Sequence, residues 1–426
     1  MKKIISSVKG TRDFYPEEMG IRTWLYQTIK AVSESYGYQE WEGPILETLE
    51  LYAAKSGEEL VQEQSFVFND RGGDKVAMRP ELTPTLARMV AQRQGQLAFP
   101  LRWWSFGPFW RYERPQKGRT REFFQWNIDM IGVNSPEADA ELIALAAAFF
   151  RQVGLQPGQV KIFINDRRLM DAQLTNLGIP LEKKVDVFNL IDRRNKLEFN
   201  EWRTYGISLG LSDNQFTSLV EILDDPDLWR QSEDLKRVFR ALNALGVAEY
   251  VQFDAKIIRG LLYYTGTVFE AFDTTGDIRR AICGGGRYDN LLAAVGGDPM
   301  PAVGFAMGDV VITLLLEKLK LIPEGLGNVP AKILVTIFDS SSFADSLSIA
   351  NDLRLAGLNV ICYPEVAKLG KQFKFADRIA AKTVVVAGPD EISAGLVTIK
   401  NLAEGTQQTI LRTDAANWIK SQINML

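Results

Sequence analysis

Positions 111–122 carry five basic side chains: Arg111, Arg114, Lys117, Arg119 and Arg121. Four are arginines, whose guanidinium is planar, permanently charged and able to hold an oxyanion through two hydrogen bonds at once. Such a set could fix phosphate or carboxylate oxygens while charge develops on them. Pro115 and Gly118 sit among the charges and punctuate regular structure. The run 101–110 before them is apolar and aromatic, and 123–132 after them alternates as a strand does. Two antiparallel strands joined by a charged loop are therefore expected. Charge alone reads equally well as a solvated hairpin; the aromatic strands on either side favour a loop hung over a built pocket.

Two further stretches could serve chemistry. Arg79-Pro80-Glu81-Leu82-Thr83-Pro84 opens a helix expected to run to about residue 94, with Thr83 as its cap and Pro84 at its first position. Gly284-Gly285-Gly286-Arg287-Tyr288-Asp289 would let backbone come close to a ligand, with Arg287 at the edge of that approach, although a glycine run is as readily a turn. Histidine is absent from all 426 residues, which excludes imidazole bases, histidine triads and histidine metal sites. The two cysteines, Cys283 and Cys362, are far apart with no metal spacing, as suits a reducing compartment.

The elements that must position these residues fall into blocks. With 46% hydrophobic and 24% charged residues, the chain is expected to fold into two or three cored domains. At a net charge of −4, any nucleic acid must be met through local basic patches. No apolar run approaches a membrane span. An amphipathic helix is expected over 18–36, a hairpin with strands 66–70 and 75–78, and an Ala- and Leu-rich helix over 137–153. A short strand at 160–164 precedes a charge-dense, helix-forming stretch at about 166–247, which reads as an insertion. Strands return at 251–253, 263–272 and 280–283, and a strand-to-helix passage starts at 304 with its helix over 310–318. Residues 322–331, with Pro323, Gly325, Gly327 and Pro330, form a linker. Beyond it, strands and helices alternate in a small α/β domain: strands 332–338, 359–363, 383–387 and 395–401, helices 342–356, 369–381 and 414–422. The expected division is 1–323 and 331–426.

These blocks, in this order, resemble the class II aminoacyl-tRNA synthetases, and among them the histidyl-tRNA synthetase family. Val8-Lys9-Gly10-Thr11-Arg12-Asp13 looks like the family's opening segment and Glu42-Gly43-Pro44 like motif 1, whose proline shapes a dimer interface. Residues 111–125, with Arg114-Pro115-Gln116-Lys117-Gly118-Arg119, resemble motif 2; Arg259-Gly260-Leu261-Leu262-Tyr263-Tyr264-Thr265-Gly266 resembles the histidine-specific signature. The resemblance implies an α+β fold: an antiparallel-sheet catalytic core with a helical insertion, a C-terminal α/β anticodon-binding domain, and a cytoplasmic homodimer. It implies activation of L-histidine by ATP with Mg²⁺, without a protein-held metal or organic cofactor, and transfer to tRNA(His).

The same resemblance assigns roles. Arg111 and Arg259 would hold the α-phosphate and attacking carboxylate, Glu113 the adenine, and Arg119 and Arg121 further ATP phosphates or the tRNA end. Glu81 and Thr83 would hold the α-amino group, and a carboxylate at Glu81 also suits a helix start. Gln125 would bind the substrate amino acid, Tyr264 with Asp129 would read the imidazole nitrogens, and Tyr288 would help to wall the pocket. Gln116 and Lys117 would meet the acceptor end of tRNA, and Lys371 and Lys374, within Lys368-Leu369-Gly370-Lys371-Gln372-Phe373-Lys374, its anticodon region.

Three positions depart from the family's usual pattern. Gly308 is followed by Asp309-Val310-Val311 where motif 3 ordinarily supplies Glu-Arg, so the arginine expected at the ATP γ-phosphate is missing; either Arg121 or another cation takes its place, or ATP handling is impaired. Asp129 stands where Glu is common, and Leu262 where Asp is common. A silent paralogue that regulates ATP phosphoribosyltransferase in histidine biosynthesis is the alternative, but it usually lacks the C-terminal domain present here. A ligase joining histidine-like acids to another acceptor is a third reading. Without imidazole, the proton of the tRNA 3′-hydroxyl is expected to pass to a phosphate oxygen of the adenylate.

Overall fold

The computed structural model describes residues 4–53, 64–116, 118–194, 196–258, 264–276, 278–290 and 292–423. The chain forms two compact units, Met1–Asp13 with Arg22–Pro323, and Phe14–Ile21 with Glu324–Leu426.

The strands of the larger unit are β1 (Gln39–Glu40), β2 (Leu46–Thr48), β3 (Phe66–Asn69), β4 (Lys75–Met78), β5 (Leu101–Trp110), β6 (Glu122–Ile131), β7 (Val160–Asp166), β8 (Val251–Phe253), β9 (Thr267–Asp273), β10 (Cys283–Tyr288) and β11 (Ala302–Gly308). Eight of them make one sheet in the order β1-β5-β6-β11-β10-β9-β7-β8. Every internal pair is antiparallel, and only the outer pairs, β1 with β5 and β7 with β8, run parallel. Parallel neighbours need a crossover. For β7 and β8 it is built from the helices Arg167–Asn176, Leu181–Asp192, Phe199–Ser208, Asp213–Asp224 and Glu233–Ala244. Their core holds Trp202, whose indole Nε1 donates to the Leu190 carbonyl at 2.7 Å and whose rings lie 4.8 Å from Phe216.

The long β5–β6 hairpin is the backbone of the molecule. Its residues pair from Leu101 with Ile131 to Trp110 with Glu122, leaving the basic residues in the connecting loop. On β6 the side chains divide by the strand's period of two. Trp126, Ile128 and Met130 are buried, and Trp126 packs against Phe149 and Phe305 at 5.5 Å and 4.9 Å. Phe149 belongs to the Pro136–Gln152 helix, which Ser135 caps by accepting from the Ala138 N–H at 3.2 Å. That helix is buried along most of its length, which accounts for its small side chains.

Three sequence expectations needed correction. The glycine run is neither a turn nor a loop: Gly284, Gly285 and Gly286 lie inside β10, between β9 and β11. A Cβ on Gly285 would stand 2.2 Å from the Gly304 carbonyl oxygen, so only glycine fits against β11 there. Arg287 does not border a ligand; it is 1% exposed and its guanidinium binds Asp139, with Nη1 donating to the Val133 carbonyl at 2.9 Å. Thr83 is not the cap of its helix, which runs Thr83–Arg93 with Leu82 in the cap position and no side-chain cap bond.

The smaller unit carries a five-stranded sheet in the order β13-β12-β14-β15-β16, formed by β12 (Ile333–Val335), β13 (Val360–Cys362), β14 (Thr383–Val386), β15 (Leu396–Asn401) and β16 (Thr406–Leu411). The first three are parallel, joined by the helices Phe343–Leu355 and Leu369–Arg378, and the last two add an antiparallel edge. Gln372 is buried, donating to the Ile337 and Ala367 carbonyls at 2.7 Å each and accepting from the Ile337 N–H at 2.9 Å.

Burial pushes the Asp139 carboxyl up from its ordinary value, against the opposing pull of Arg287. Removing one member of such a pair strands the other. Arg287→Met is therefore expected to cost about 3–5 kcal/mol, and adding Asp139→Leu to recover most of it. Urea unfolding of the single and double variants measures both.

Candidate active site

The site follows from the register of β6 with its neighbours. Gln125, Asn127 and Asp129 share the face opposite Trp126 and Ile128. On β11 their partners are Gly308, Ala306 and Gly304, residues with little or no side chain. Polar groups on one strand facing missing side chains on the next leave a hollow. It is a cavity of about 150 Å³ whose lining includes Glu81, Thr83, Gln125, Asn127, Asp129, Tyr264 and Tyr288.

Asp129 is 8% exposed and accepts a 2.5 Å hydrogen bond from the Tyr288 hydroxyl, itself on β10. A Cβ on Gly304 would fall 2.0 Å from the Asp129 carboxylate, so the carboxylate occupies the space that glycine vacates. Tyr264 is 6% exposed and closes one side. Glu81 and Thr83 enter from the start of the Thr83–Arg93 helix. The lining offers two carboxylates for a cationic or N–H-bearing group, and hydroxyls and amides for the other polar atoms of a small molecule.

A second cavity, about 230 Å³, lies at the basic loop. Its lining includes Arg111, Glu113, Arg119, Phe123, Arg280 and Val311. Arg111 lines both cavities. Its Nε donates to the Pro80 carbonyl at 2.9 Å and its guanidinium lies 5.3 Å from the Phe123 ring centroid. Phe123 stacks on Phe109 at 5.7 Å, the pair directly across the hairpin, so the guanidinium rests on an aromatic step fixed by the sheet.

Arg119 pairs with the Glu113 carboxylate. Burial first, then the nearby guanidinium groups of Arg280 and Arg111, push Arg119 down from arginine's ordinary value. The loop closes on itself, with the Gln116 N–H donating to Arg119 at 3.0 Å and the Arg119 N–H to Gln116 at 2.8 Å. The N-terminal segment braces its exit. The Gly10 carbonyl accepts from the Arg121 and Glu122 N–H groups at 2.9 Å and 3.2 Å, and Arg12 pairs with Asp309 at 2.9 Å. Asp309, nearly buried, also accepts from the Phe124 N–H at 2.9 Å; burial raises its pKa while Arg12 pulls it down.

The expected residues thus divide. Arg111, Glu81, Thr83, Gln125, Asp129, Tyr264 and Tyr288 gather around one cavity, and Arg111, Glu113 and Arg119 around the adjoining one. Arg121 lines neither; its Nε donates to the Glu113 carbonyl at 3.1 Å and its guanidinium sits 4.1 Å over Tyr112. Gln116 is exposed at the loop tip. Lys371 and Lys374 are exposed on the Leu369–Arg378 helix, Lys371 pairing with Glu365 at 2.6 Å. Arg259, Lys117 and Leu262 lie outside the described residues.

Sequence reasoning missed Asn127 and Arg280. Asn127 was legible, since it falls midway between two residues already assigned to one strand face. Arg280 was not, because nothing in its surroundings in the chain distinguishes it from a charged turn.

With this geometry in hand, the likeness to known proteins is specific. The family model described as Histidyl-tRNA synthetase matches residues 10–309, and one described as an anticodon binding domain matches residues 332–422. The chain is 40% identical over 424 residues to the chloroplastic/mitochondrial histidine–tRNA ligase of Arabidopsis thaliana, covering 97% of this chain and 86% of that protein. It is 34% identical over 434 residues to the histidine–tRNA ligase of Leptospira biflexa serovar Patoc, with 99% of each covered. The crystal structure of histidyl-tRNA synthetase from Nostoc sp. PCC 7120 superposes with a TM-score of 0.81 at 27% identity, covering 99% of this chain and 100% of that one. Two adjoining cavities sharing one arginine, on a sheet matched along its whole length, place the chain in the histidyl-tRNA synthetase family.

Proposed function

We propose that the chain activates L-histidine with ATP and transfers it to the 3′ end of tRNA(His). The observation that carries this reading is Arg111, which lines both the 150 Å³ and the 230 Å³ cavity. Activation brings a carboxylate onto a phosphate: an oxygen of histidine bonds to the α-phosphorus while the bond to pyrophosphate breaks. A fixed cation between the two binding sites offsets their repulsion and stabilises the charge that builds on the phosphoryl oxygens. Arg259 supports the same oxygens in this reading.

In the smaller cavity Glu81 and Thr83 hold the ammonium, Gln125 the substrate backbone, and Asp129, oriented by Tyr288, accepts from an imidazole N–H while Tyr264 walls the ring. In the larger one Glu113 orients adenine and Arg119 meets the phosphates, while Arg121 holds the backbone that presents Glu113. ATP is taken as its Mg²⁺ complex, the ion travelling with the phosphates. Gln116 and Lys117 face the acceptor end of tRNA, and Lys371 and Lys374 its anticodon region. A homodimer is supported by the β2-β4-β3 sheet, where Ile45, Leu46, Val67 and Phe68 are each at least 40% exposed beside the Glu42-Gly43-Pro44 segment. No described helix is long and apolar enough to cross a membrane; the cytoplasmic location is what the family resemblance implies. The domain reading remains a catalytic 1–323 and an anticodon-binding 331–426.

Pyrophosphate–ATP exchange with each amino acid, on purified protein without tRNA, tests the reading. Exchange with histidine alone is expected; none with any amino acid from folded protein would remove it. Arg111→Ala is expected to lower kcat of exchange about 10²–10³-fold, the usual effect of removing one donor to a developing oxyanion. Tyr288→Phe is expected to raise KM for histidine roughly tenfold with KM for ATP little changed, because a lost buried hydrogen bond to a carboxylate is worth about 1.5–3 kcal/mol. Steady-state exchange with each substrate varied separates the two effects.

A further inference from the structure

The larger cavity contains a cation that none of the motifs accounts for. Arg280 lies in the connection between β9 and β10, and its side chain lines this cavity with Arg111 and Arg119 but does not line the smaller one. It packs at the tip of the basic loop: a Cβ on Gly118 would stand 3.5 Å from Arg280 Cδ and 3.9 Å from Val311 Cγ2. Val310 and Val311, in the first turn of the Asp309–Lys318 helix, line the same cavity. This is the wall where the resemblance to motif 3 implies an arginine and this chain carries valine. Among the described residues Arg280 has no ion-pair partner, and Glu113, the acidic residue in the lining, is paired with Arg119.

Three guanidinium groups around one small cavity repel one another, an arrangement that a bound polyanion relieves. Which cavity each one lines says which part of the anion it would meet: Arg111 lines both, Arg280 only the larger. The α-phosphate must lie at Arg111, where the two cavities join, because the attacking carboxylate arrives from the smaller one. Arg280 does not line the smaller cavity, and like Val311 it flanks Gly118 in the larger one. We propose that Arg280 binds the β- and γ-phosphates of ATP, supplying from the β9–β10 connection the charge that the Asp309–Lys318 helix lacks. The proposal rests on the synthetase reading and adds a residue to it. In the activation step Arg280 would stabilise the pyrophosphate leaving group, which gains negative charge as its bond to the α-phosphorus breaks.

The test uses the full-length protein as wild type, Arg280→Ala, and Arg280→Ala combined with Val311→Arg. In histidine-dependent exchange Arg280→Ala is expected to raise KM for ATP about tenfold or more and to leave KM for histidine within about twofold. In equilibrium dialysis the same variant should lose affinity for ATP while holding that for AMP, which also shows that its cavity is folded. Val311→Arg should bring KM for ATP back toward wild type. An unchanged KM for ATP in Arg280→Ala, or equal losses of ATP and AMP binding, overturns the proposal. If the wild type exchanges with no amino acid, the synthetase reading fails on its own, and the ATP-against-AMP comparison still decides the role of Arg280.

Discussion

The proposed reaction must bring two negative groups within bonding distance, and in that reading the fold is arranged around the positive charge that permits it. Arg111 lines both cavities, and the contacts that hold it come from distant parts of the chain. The Pro80 carbonyl, at the end of β4's onward connection, accepts from its Nε, and Phe123 supports its face. Phe123 is in turn held by pairing with Phe109 across the hairpin. The neighbouring Arg79 repeats the pattern at greater depth: it is fully buried, lies 4.7 Å over Phe109, donates to the Pro108 carbonyl at 2.8 Å and pairs with Glu42 at 2.5 Å. One arginine thus fixes the segment that leads to Glu81 and Thr83, and the next uses that segment as its own anchor.

Buried charge recurs wherever the site needs a fixed edge. Arg287 with Asp139 ties β10 to the Pro136–Gln152 helix, and Asp309 ties β6 and Arg12 to the start of the Asp309–Lys318 helix. Such pairs contribute less to net stability than their short distances suggest, because desolvation offsets most of the attraction. Their effect is geometric: each admits one arrangement of the strands it joins. Asp309 is instructive in this respect. It stands immediately after Gly308, where a different sequence would direct chemistry into the cavity, and here the carboxylate is turned to structural use.

The sequence was most legible where periodicity and turn chemistry agreed. The β3–β4 hairpin around Arg71-Gly72-Gly73-Asp74, the β5–β6 pair and the helix after Ser135 lie within a residue or so of where alternation, turn residues and an Ala- and Leu-rich composition put them. β16 escaped notice because Thr406–Leu411 is an exposed edge strand whose residues, mostly polar, carry no alternation to detect. Glycine in β10 misled for a different reason: with no side chains it shows no alternation, and its strand identity comes from pairing on both edges with β9 and β11, against which Gly285 leaves no room for a Cβ. The candidate site shows the same divide. Residues in motif 2 and on β6 could be assembled from spacing, whereas Arg280 joins them only through the return of a distant connection to the loop tip.

The floor of the smaller cavity is largely main chain, formed by Gly284, Gly304 and Ala306. A surface already stripped to hydrogen and methyl can be built upon but scarcely cut back. Single substitutions there fill the pocket, and none deepens it appreciably. Drift toward bulkier amino acids is thereby closed off along one whole side, and selectivity against them is inherited from the backbone and not from any replaceable group. In the proposed reading, discrimination among substrates of similar or smaller size falls to the walls, Asp129 and Tyr288 above all, and it is there that altered preference could evolve.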